Sequence, residues 1–356
     1  MRPAHAVIDL SALRYNYRMA QGLSGSRALA VLKANAYGHG SVRCAQALAD
    51  TADGFAVACI EEALELRQAG LTQPILLLEG WFEASELPLI VEHDLWAVVH
   101  HHGQVADLQQ TSLAKPLDLW LKLDSGMHRV GFTPDEYPLI WRQLRANGNV
   151  ASLTKMTHFS RADEPETGRT EQQLAIFQAA TADLPGPSSL CNSPAVLAWP
   201  QAHYDWLRPG IMLYGATPFE FAQDHADKLK PVMQLDSRVI AVRQVTAGEP
   251  IGYGSRFMTT RQTRVGVVAM GYADGYPRHA KDGTPVLVDG QRTGLIGRVS
   301  MDMLTVDLTD LPGTGLGSQV RLWGEGLNAS EVAGCAGTIA YQMFCNLNRV
   351  PRRYLG

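Results

Sequence analysis

The sequence predicts an α/β protein in which an N-terminal (β/α)8 barrel of the TIM type precedes a mostly-β C-terminal domain. Three observations carry that prediction. Eight short apolar runs alternate with helical segments over about two hundred residues. No GxGxxG follows the first run, which counts against the alternative of a doubly wound open sheet. Beyond about Phe221 the texture changes to β-rich runs punctuated by glycine.

In chain order, Ala28 to Leu32 reads as the first buried strand and Ser41 to Asp50 as a helix with Val42, Ala45 and Ala49 on one face. Strands are then expected at Gly54 to Ala58, Pro74 to Leu78, Leu95 to Val99, Leu117 to Leu123, Ser152 to Met156, Ser188 to Cys191 and Trp206 to Leu213. Helices fall between them at Glu61 to Ala69, Ala84 to His93, Val105 to Thr111, Pro134 to Ala146, Thr170 to Ala182 and Pro194 to Trp199. In the second part, β-runs at Arg238 to Val242, Val265 to Met270, Val286 to Val288 and Met303 to Leu308 precede a helical piece near Ser330 to Ala336. The GTGLG run at Gly313 to Gly317 reads as a turn, since no helix opens after it to present amides to a phosphate. The expected division is a barrel over 8–225 and a β domain over 226–356, with the first few residues packing on the latter.

Composition narrows the function classes. At 356 residues and 46% hydrophobic, the chain is long enough for two folded domains. A net charge of -4 gives no electrostatic footprint for nucleic acid or an anionic membrane. Five scattered cysteines without a CxxC pair support neither a disulfide framework nor a zinc site, and fit a reducing cytoplasm. No segment reads as a signal peptide or a membrane span. Neighbours in His100-His101-His102 point to opposite faces of an extended chain, so at most two of the three can share an ion, and no metal is expected. The tryptophans and methionines are expected in the core, and no GxSxG elbow supports serine hydrolysis.

A barrel carries its chemistry at the C-terminal ends of its strands. Those ends present Lys33, Lys122 with Asp124, Arg129 a few residues on, His158, Asn192 with Ser193, and Arg208. Lys33 stands where the first strand gives way to a loop containing Tyr37, Gly38 and Gly40. A lysine buried there loses part of its affinity for a proton, and the neutral amine can condense with an aldehyde. The barrel rule also puts a phosphate site after the seventh and eighth strands, where Asn192-Ser193 and Gly210-Ile211 fall. Each residue alone has an ordinary explanation as a solvated charge or a turn; their convergence on one rim favours the functional reading.

These segments resemble those of the alanine racemases, pyridoxal 5'-phosphate (PLP) enzymes of fold type III, and the resemblance covers almost the whole chain. VLKANAYGHG (Val31 to Gly40) resembles the segment of the cofactor lysine, which implies that Lys33 carries PLP as a Schiff base. KLDSGMHRVGF is similar to the segment that sets an arginine near the cofactor phenolate and the substrate, here Arg129. Lys122 is by the same resemblance a candidate for carbamylation. THFSRADE implies His158 beside the cofactor, CNSPA implies Ser193 on its phosphate with Asn192 adjacent, and RPGIMLYG implies Arg208 against the pyridine nitrogen with Gly210 and Ile211 following. Tyr37 and, from AYQMFCNLNRVPR, Tyr341 complete the cofactor set.

In the second domain, GYGSRF matches the segment of the catalytic tyrosine, here Tyr253, and GYADGYPR gives Tyr272 and Arg278 at the entrance. GRVSMDM gives Met301 and Asp302 at the substrate site and Arg298 on the entry path, with Ser300 where some members have cysteine. The resemblance implies a cytoplasmic homodimer with composite sites that interconverts L-alanine and D-alanine with two bases, Lys33 and the partner's Tyr253. Supply of D-alanine for cell wall and its degradation both stay open. Two rivals also remain: a PLP decarboxylase or broader racemase of the same fold, which a tyrosine opposite the lysine disfavours, and a PLP-binding carrier, which would need no second domain.

Overall fold

The computed structural model describes residues 2–356. Eight parallel strands form the first sheet: β2 (Arg27–Val31), β3 (Gly54–Val57), β4 (Ile75–Leu77), β5 (Leu95–Val99), β6 (Leu117–Lys122), β7 (Val150–Met156), β8 (Ser188–Ser189) and β9 (Trp206–Leu207). Their hydrogen-bonded order is β8-β7-β6-β5-β4-β3-β2-β9. The seam between β8 and β9 is joined outside the ladder: Ser189 Oγ donates to the Trp206 carbonyl (2.7 Å) and the Arg208 N–H to the Cys191 carbonyl (2.9 Å). The sheet thus curls into the expected barrel.

Inside it, Trp96, Trp120 and Trp206 come from β5, β6 and β9 and meet with ring centroids 5.5 to 6.1 Å apart. Strands that far apart around a ring touch only through its interior, so the three indoles plug the barrel. The Arg27 guanidinium, at the start of β2, stacks over Trp206 at 4.0 Å, which puts the plug toward the N-terminal ends of the strands.

The last two predicted strands are longer than the observed ones. Trp206 to Leu213 is strand only to Leu207, because Pro209 and Gly210 break the ladder and Ile211–Tyr214 winds into a 3-10 turn. A helix at Leu10–Gly22, capped by Asp9, was not expected from the sequence.

The mostly-β domain is built around β10 (Met233–Val245), a 13-residue strand that pairs with β1 (His5–Asp9), with β13 (Thr263–Val268) and with β17 (Gln319–Trp323). The first strand of the chain lies between β10 and β18 (Arg352–Leu355), parallel to the latter. His5–Asp9 and Arg352–Leu355 therefore lie side by side in the second sheet. The helix Ala340–Cys345 returns from this domain to the barrel and packs on the segment after Lys33. The approach is close: a Cβ on Gly38 (φ +76°) would stand 2.1 Å from the Phe344 carbonyl oxygen.

Gly38→Ala is expected to cost about 3 kcal/mol or more, from a left-handed φ and overpacking together. Gly70→Ala, with φ +86° but open space around it, should cost about 1 kcal/mol. Urea midpoints of the two variants against the parent test this; equal shifts would show that the contact with Phe344 contributes nothing.

Candidate active site

At the C-terminal ends of the barrel strands lies a cavity of about 690 Å³. It gathers eleven of the residues singled out in the sequence: Lys33, Tyr37, Lys122, Arg129, His158, Asn192, Ser193, Arg208, Gly210, Ile211 and Tyr341. Tyr341 arrives on the helix Ala340–Cys345; the others follow barrel strands or, like Lys122, end one.

Lys33 opens an unusual segment. Ala34, Asn35, Ala36 and Tyr37 all have φ between +50° and +54° and ψ between 44° and 51°, a full turn of left-handed helix. For L-residues this costs about 1–2 kcal/mol each. The turn persists because its surroundings hold it at several points. Glu62 accepts the Ala34 N–H (2.6 Å) with one carboxylate oxygen and the Ala58 N–H (2.8 Å) with the other. Asn35 accepts the Gly40 N–H on its carbonyl (2.9 Å) and the Ser41 N–H on its side chain (2.8 Å). His39 Nδ1 lies 3.0 Å from the Ala36 carbonyl and 2.9 Å from that of Tyr37, and the Arg352 Nε–H donates to Gly38 O (2.6 Å). Tyr37 then packs between Tyr214 and Tyr341, with centroids 4.9 and 5.8 Å away. Glu62 escaped the sequence reading, since a glutamate in the first turn of a helix has an ordinary explanation.

Arg208 is 3% exposed, and its guanidinium donates only to neutral groups: Ser189 Oγ, the Thr157 carbonyl (2.7 Å) and the Leu190 carbonyl (3.3 Å). Its Nη2 also lies 3.5 Å from His158 Nδ1, while Asn192 Nδ2 lies 3.4 Å from His158 Nε2. Ser193 Oγ accepts the N–H groups of Gly210 (2.8 Å) and Met212 (3.2 Å), forming a small cradle after β9. A Cβ on Gly210 would come within 2.6 Å of the Tyr37 hydroxyl, so a larger residue here has to push the Tyr37 ring aside. Arg129 hangs from the loop after β6, which is tied by Asp124 accepting the Gly126 and His128 N–H groups.

Among the described residues, none of Lys33, Lys122, Arg129 and Arg208 stands within 4.0 Å of a carboxylate. The unpaired cations around this cavity add to burial in lowering the proton affinity of Lys33, Lys122 and His158. Burial and then the Arg129 charge lower the Lys33 pKa, against weaker pulls from Glu79 and Glu62. Burial, followed by Arg129, Arg208 and Lys33, brings Lys122 down to about 7. The same burial and the Arg208 charge hold His158 well below the usual imidazole range. The site can therefore present neutral amines beside fixed positive charge, a setting for an aldehyde and an anion together.

The remaining predicted residues lie elsewhere. Tyr253 is 68% exposed on the β domain, Met301 is 53% exposed, and Arg298 lies beside the Gly252–Gly254 turn. Tyr272 and Arg278 line a separate cleft of about 230 Å³. Asp302 is engaged by Arg2 and Arg349. No group of three or more His, Cys, Asp or Glu suited to a metal occurs among the described residues, and no described helix is long and apolar enough to cross a membrane.

Comparison with known proteins is consistent along the whole chain. Residues 8–218 match the family described as alanine racemase, N-terminal domain, and residues 232–354 match alanine racemase, C-terminal domain. The chain is 65% identical to an alanine racemase of Pseudomonas taetrolens and 64% identical to a catabolic alanine racemase of Pseudomonas aeruginosa, each over 100% of both chains. The crystal structure of the biosynthetic alanine racemase of P. aeruginosa superposes with a TM-score of 0.97 at 50% identity, again covering 100% of both.

The low Lys122 pKa has a measurable consequence. The unfolded chain keeps this proton to about pH 10.4, whereas the folded chain releases it near 7. Unfolding between those values takes up a proton, so stability rises with pH there, by at most about 1.4 kcal/mol per unit. In CO2-free buffer the stability difference between the parent and Lys122→Met should change by about 1 kcal/mol per pH unit from 7 to 10. A constant difference would mean that the buried amine is charged throughout.

Proposed function

The chain belongs to the alanine racemase family, and on that premise we propose that it interconverts L-alanine and D-alanine with PLP held in the barrel cavity. One observation carries the cofactor assignment: a lysine whose amine is driven toward its neutral form shares a cavity with a hydroxyl-and-amide cradle and unpaired cations. That donor set fits a ligand that is at once an aldehyde, a phosphate ester and a phenolate.

Lys33 would hold the cofactor through its amine, and the same amine, when free, would move the α-proton on one face. When bound, PLP supplies an electron-withdrawing ring that makes the substrate's α-proton acidic. Arg208 would direct an N–H at the ring nitrogen; because a guanidinium does not surrender its proton, it would leave that nitrogen unprotonated and keep the electron sink weak. That restraint favours return of the proton to the α-carbon over loss of the amino group. Arg129 orients the phenolate and the substrate carboxylate. Ser193, the Gly210 and Ile211 backbone, Asn192, Tyr37 and Tyr341 hold the phosphate end, and His158 flanks the ring. A neutral Lys122 adds CO2 with release of a proton, and the resulting carbamate gives Arg129 an anion to hold.

Racemisation also needs a proton donor and acceptor on the opposite face. The β domain offers Tyr253, whose exposure and distance from its own cavity support a homodimer in which each subunit completes the other's site. Met301 joins it at the substrate, with Asp302 next to it bonded to Arg2 and Arg349, and Tyr272, Arg278 and Arg298 form the approach. We set the boundary between barrel and β domain at residue 225/226. The protein acts in the cytoplasm, which five free cysteines support. Higher identity to the catabolic than to the biosynthetic enzyme of P. aeruginosa, 64% against 50%, favours a role in D-alanine breakdown.

The test is alanine in deuterated water with the PLP-loaded protein, before and after borohydride. Deuterium at the α-carbon with appearance of the other enantiomer, and cofactor trapped on Lys33, are expected; no exchange would overturn the assignment. Tyr253→Phe should slow racemisation on the order of 100-fold or more, and an unchanged rate would remove its role. Arg208→Glu should raise pyruvate formed per racemisation event; an unchanged ratio would count against Arg208 restraining the ring.

A further inference from the structure

Asp302 sits beside the proposed substrate contact Met301, yet its carboxylate is already engaged. Arg349 Nη2 donates to Asp302 Oδ1 at 2.8 Å, and Arg2 donates to the same oxygen (3.4 Å) and to the Asp302 carbonyl (2.6 Å). Both arginines also hold Asp274, whose side chain is 1% exposed: Arg2 Nη2 lies 2.6 Å from one carboxylate oxygen and Arg349 Nε 3.5 Å from the other. Asp274 further accepts the Gly271 N–H (2.9 Å). Two arginines and two aspartates form a charge-balanced square whose fourth side, Arg349 to Asp274, is an ionic contact without a hydrogen bond.

Each corner belongs to a different part of the chain. Arg2 leads into β1, and Arg349 follows the helix that carries Tyr341 into the barrel cavity. Asp274 ends the Gly271–Asp274 segment that presents Tyr272; Asp302 lies in the Ser300–Met303 loop that presents Met301. The two loops also pair through backbone, with the Tyr272 N–H to Ser300 O and the Ala273 N–H to Met301 O, both at 3.0 Å. They run so close that a Cβ on Gly271 would meet the Met301 carbonyl oxygen at 2.2 Å.

We propose that Arg2, Asp274, Asp302 and Arg349 are a latch that fixes the Ser300–Met303 loop to the Tyr341 helix, making Asp302 a positioning residue instead of a substrate ligand. The inference rests on the reading that Met301 faces the partner's site. Through the latch, a group in a subunit's own cavity and a group offered to its partner's cavity share one rigid frame. Removing a corner frees the loop without touching the reacting atoms, so the loss falls on substrate binding.

The experiment compares Arg2→Gln, Arg349→Gln and the conservative Arg2→Lys with the parent, all as PLP-loaded full chains. Hydrogen exchange of the 300–303 amides, where the Ser300 N–H donates to Met303 O (2.9 Å), should be several-fold faster in both Gln variants. KM for alanine should rise about ten-fold with kcat within about two-fold, and Arg2→Lys should recover most of the loss. Added NaCl should raise KM by a larger factor in the parent than in Arg2→Gln, the excess being the part carried by the latch. Unchanged exchange overturns the latch, and faster exchange with unchanged KM overturns its link to substrate. If Arg349→Gln fails to fold, Arg2→Gln still decides, because the Arg2 side chain is partly exposed. A parent that does not racemise alanine overturns the functional reading alone, since exchange at the loop needs no substrate.

Discussion

A guanidinium buried at the barrel seam, with no carboxylate to meet it, sets the terms for the rest of the site. Arg208 closes the β8–β9 gap with its backbone N–H and fills the space behind it with its side chain. Taking an isolated charge out of water costs several kcal/mol; burial alone draws even this arginine down to about 10. Neutral acceptors satisfy the N–H groups without cancelling the charge. Its field therefore extends across the cavity to His158 and Lys122, both of which bind protons less readily for it. Burial comes first, and the unpaired arginines around the cavity then draw the amines and the imidazole further toward their neutral forms.

The left-handed turn after Lys33 works in the opposite sense, as stored conformational energy held by many small bonds. Four strained residues persist because a glutamate, an asparagine, a histidine and a distant arginine each hold part of the backbone. The turn places the Tyr37 ring against Tyr214 and Tyr341 and leaves Lys33 at the point where the strand stops. Packing from Phe344 on one side and Glu62 on the other means that barrel and β domain both support the lysine.

Much of this was legible in the sequence, and the gaps have physical reasons. Parallel strands buried on both faces read as apolar runs, and polar residues just past them read as a rim, so Lys33, Lys122, His158, Ser193 and Arg208 group together in the sequence alone. The end of β9 was misjudged because Ile211, Met212 and Leu213 are as apolar as a strand but follow Pro209-Gly210. The helix Leu10–Gly22 carries its signal in Leu10, Leu13, Tyr17 and Ala20, spaced by three and four, yet charges between them masked it. Nothing local marks the left-handed turn beyond Asn35, Gly38 and Gly40. The arginine-aspartate square is invisible to any local pattern, since positions 2, 274, 302 and 349 meet only in the folded chain.

The indole plug at the far end of the barrel gives the cavity a floor. Trp96, Trp120 and Trp206 leave no passage through the ring, so whatever enters past the rim must depart the same way. For most reactions a dead-end chamber would set product against substrate in the doorway. Mirror-image molecules have the same size, charge and free energy in water, and an equilibrium constant of one obliges the enzyme to turn over both with equal kcat/KM. Traffic through a single mouth then has no preferred direction, and only the relative concentrations outside decide which way the net flux runs.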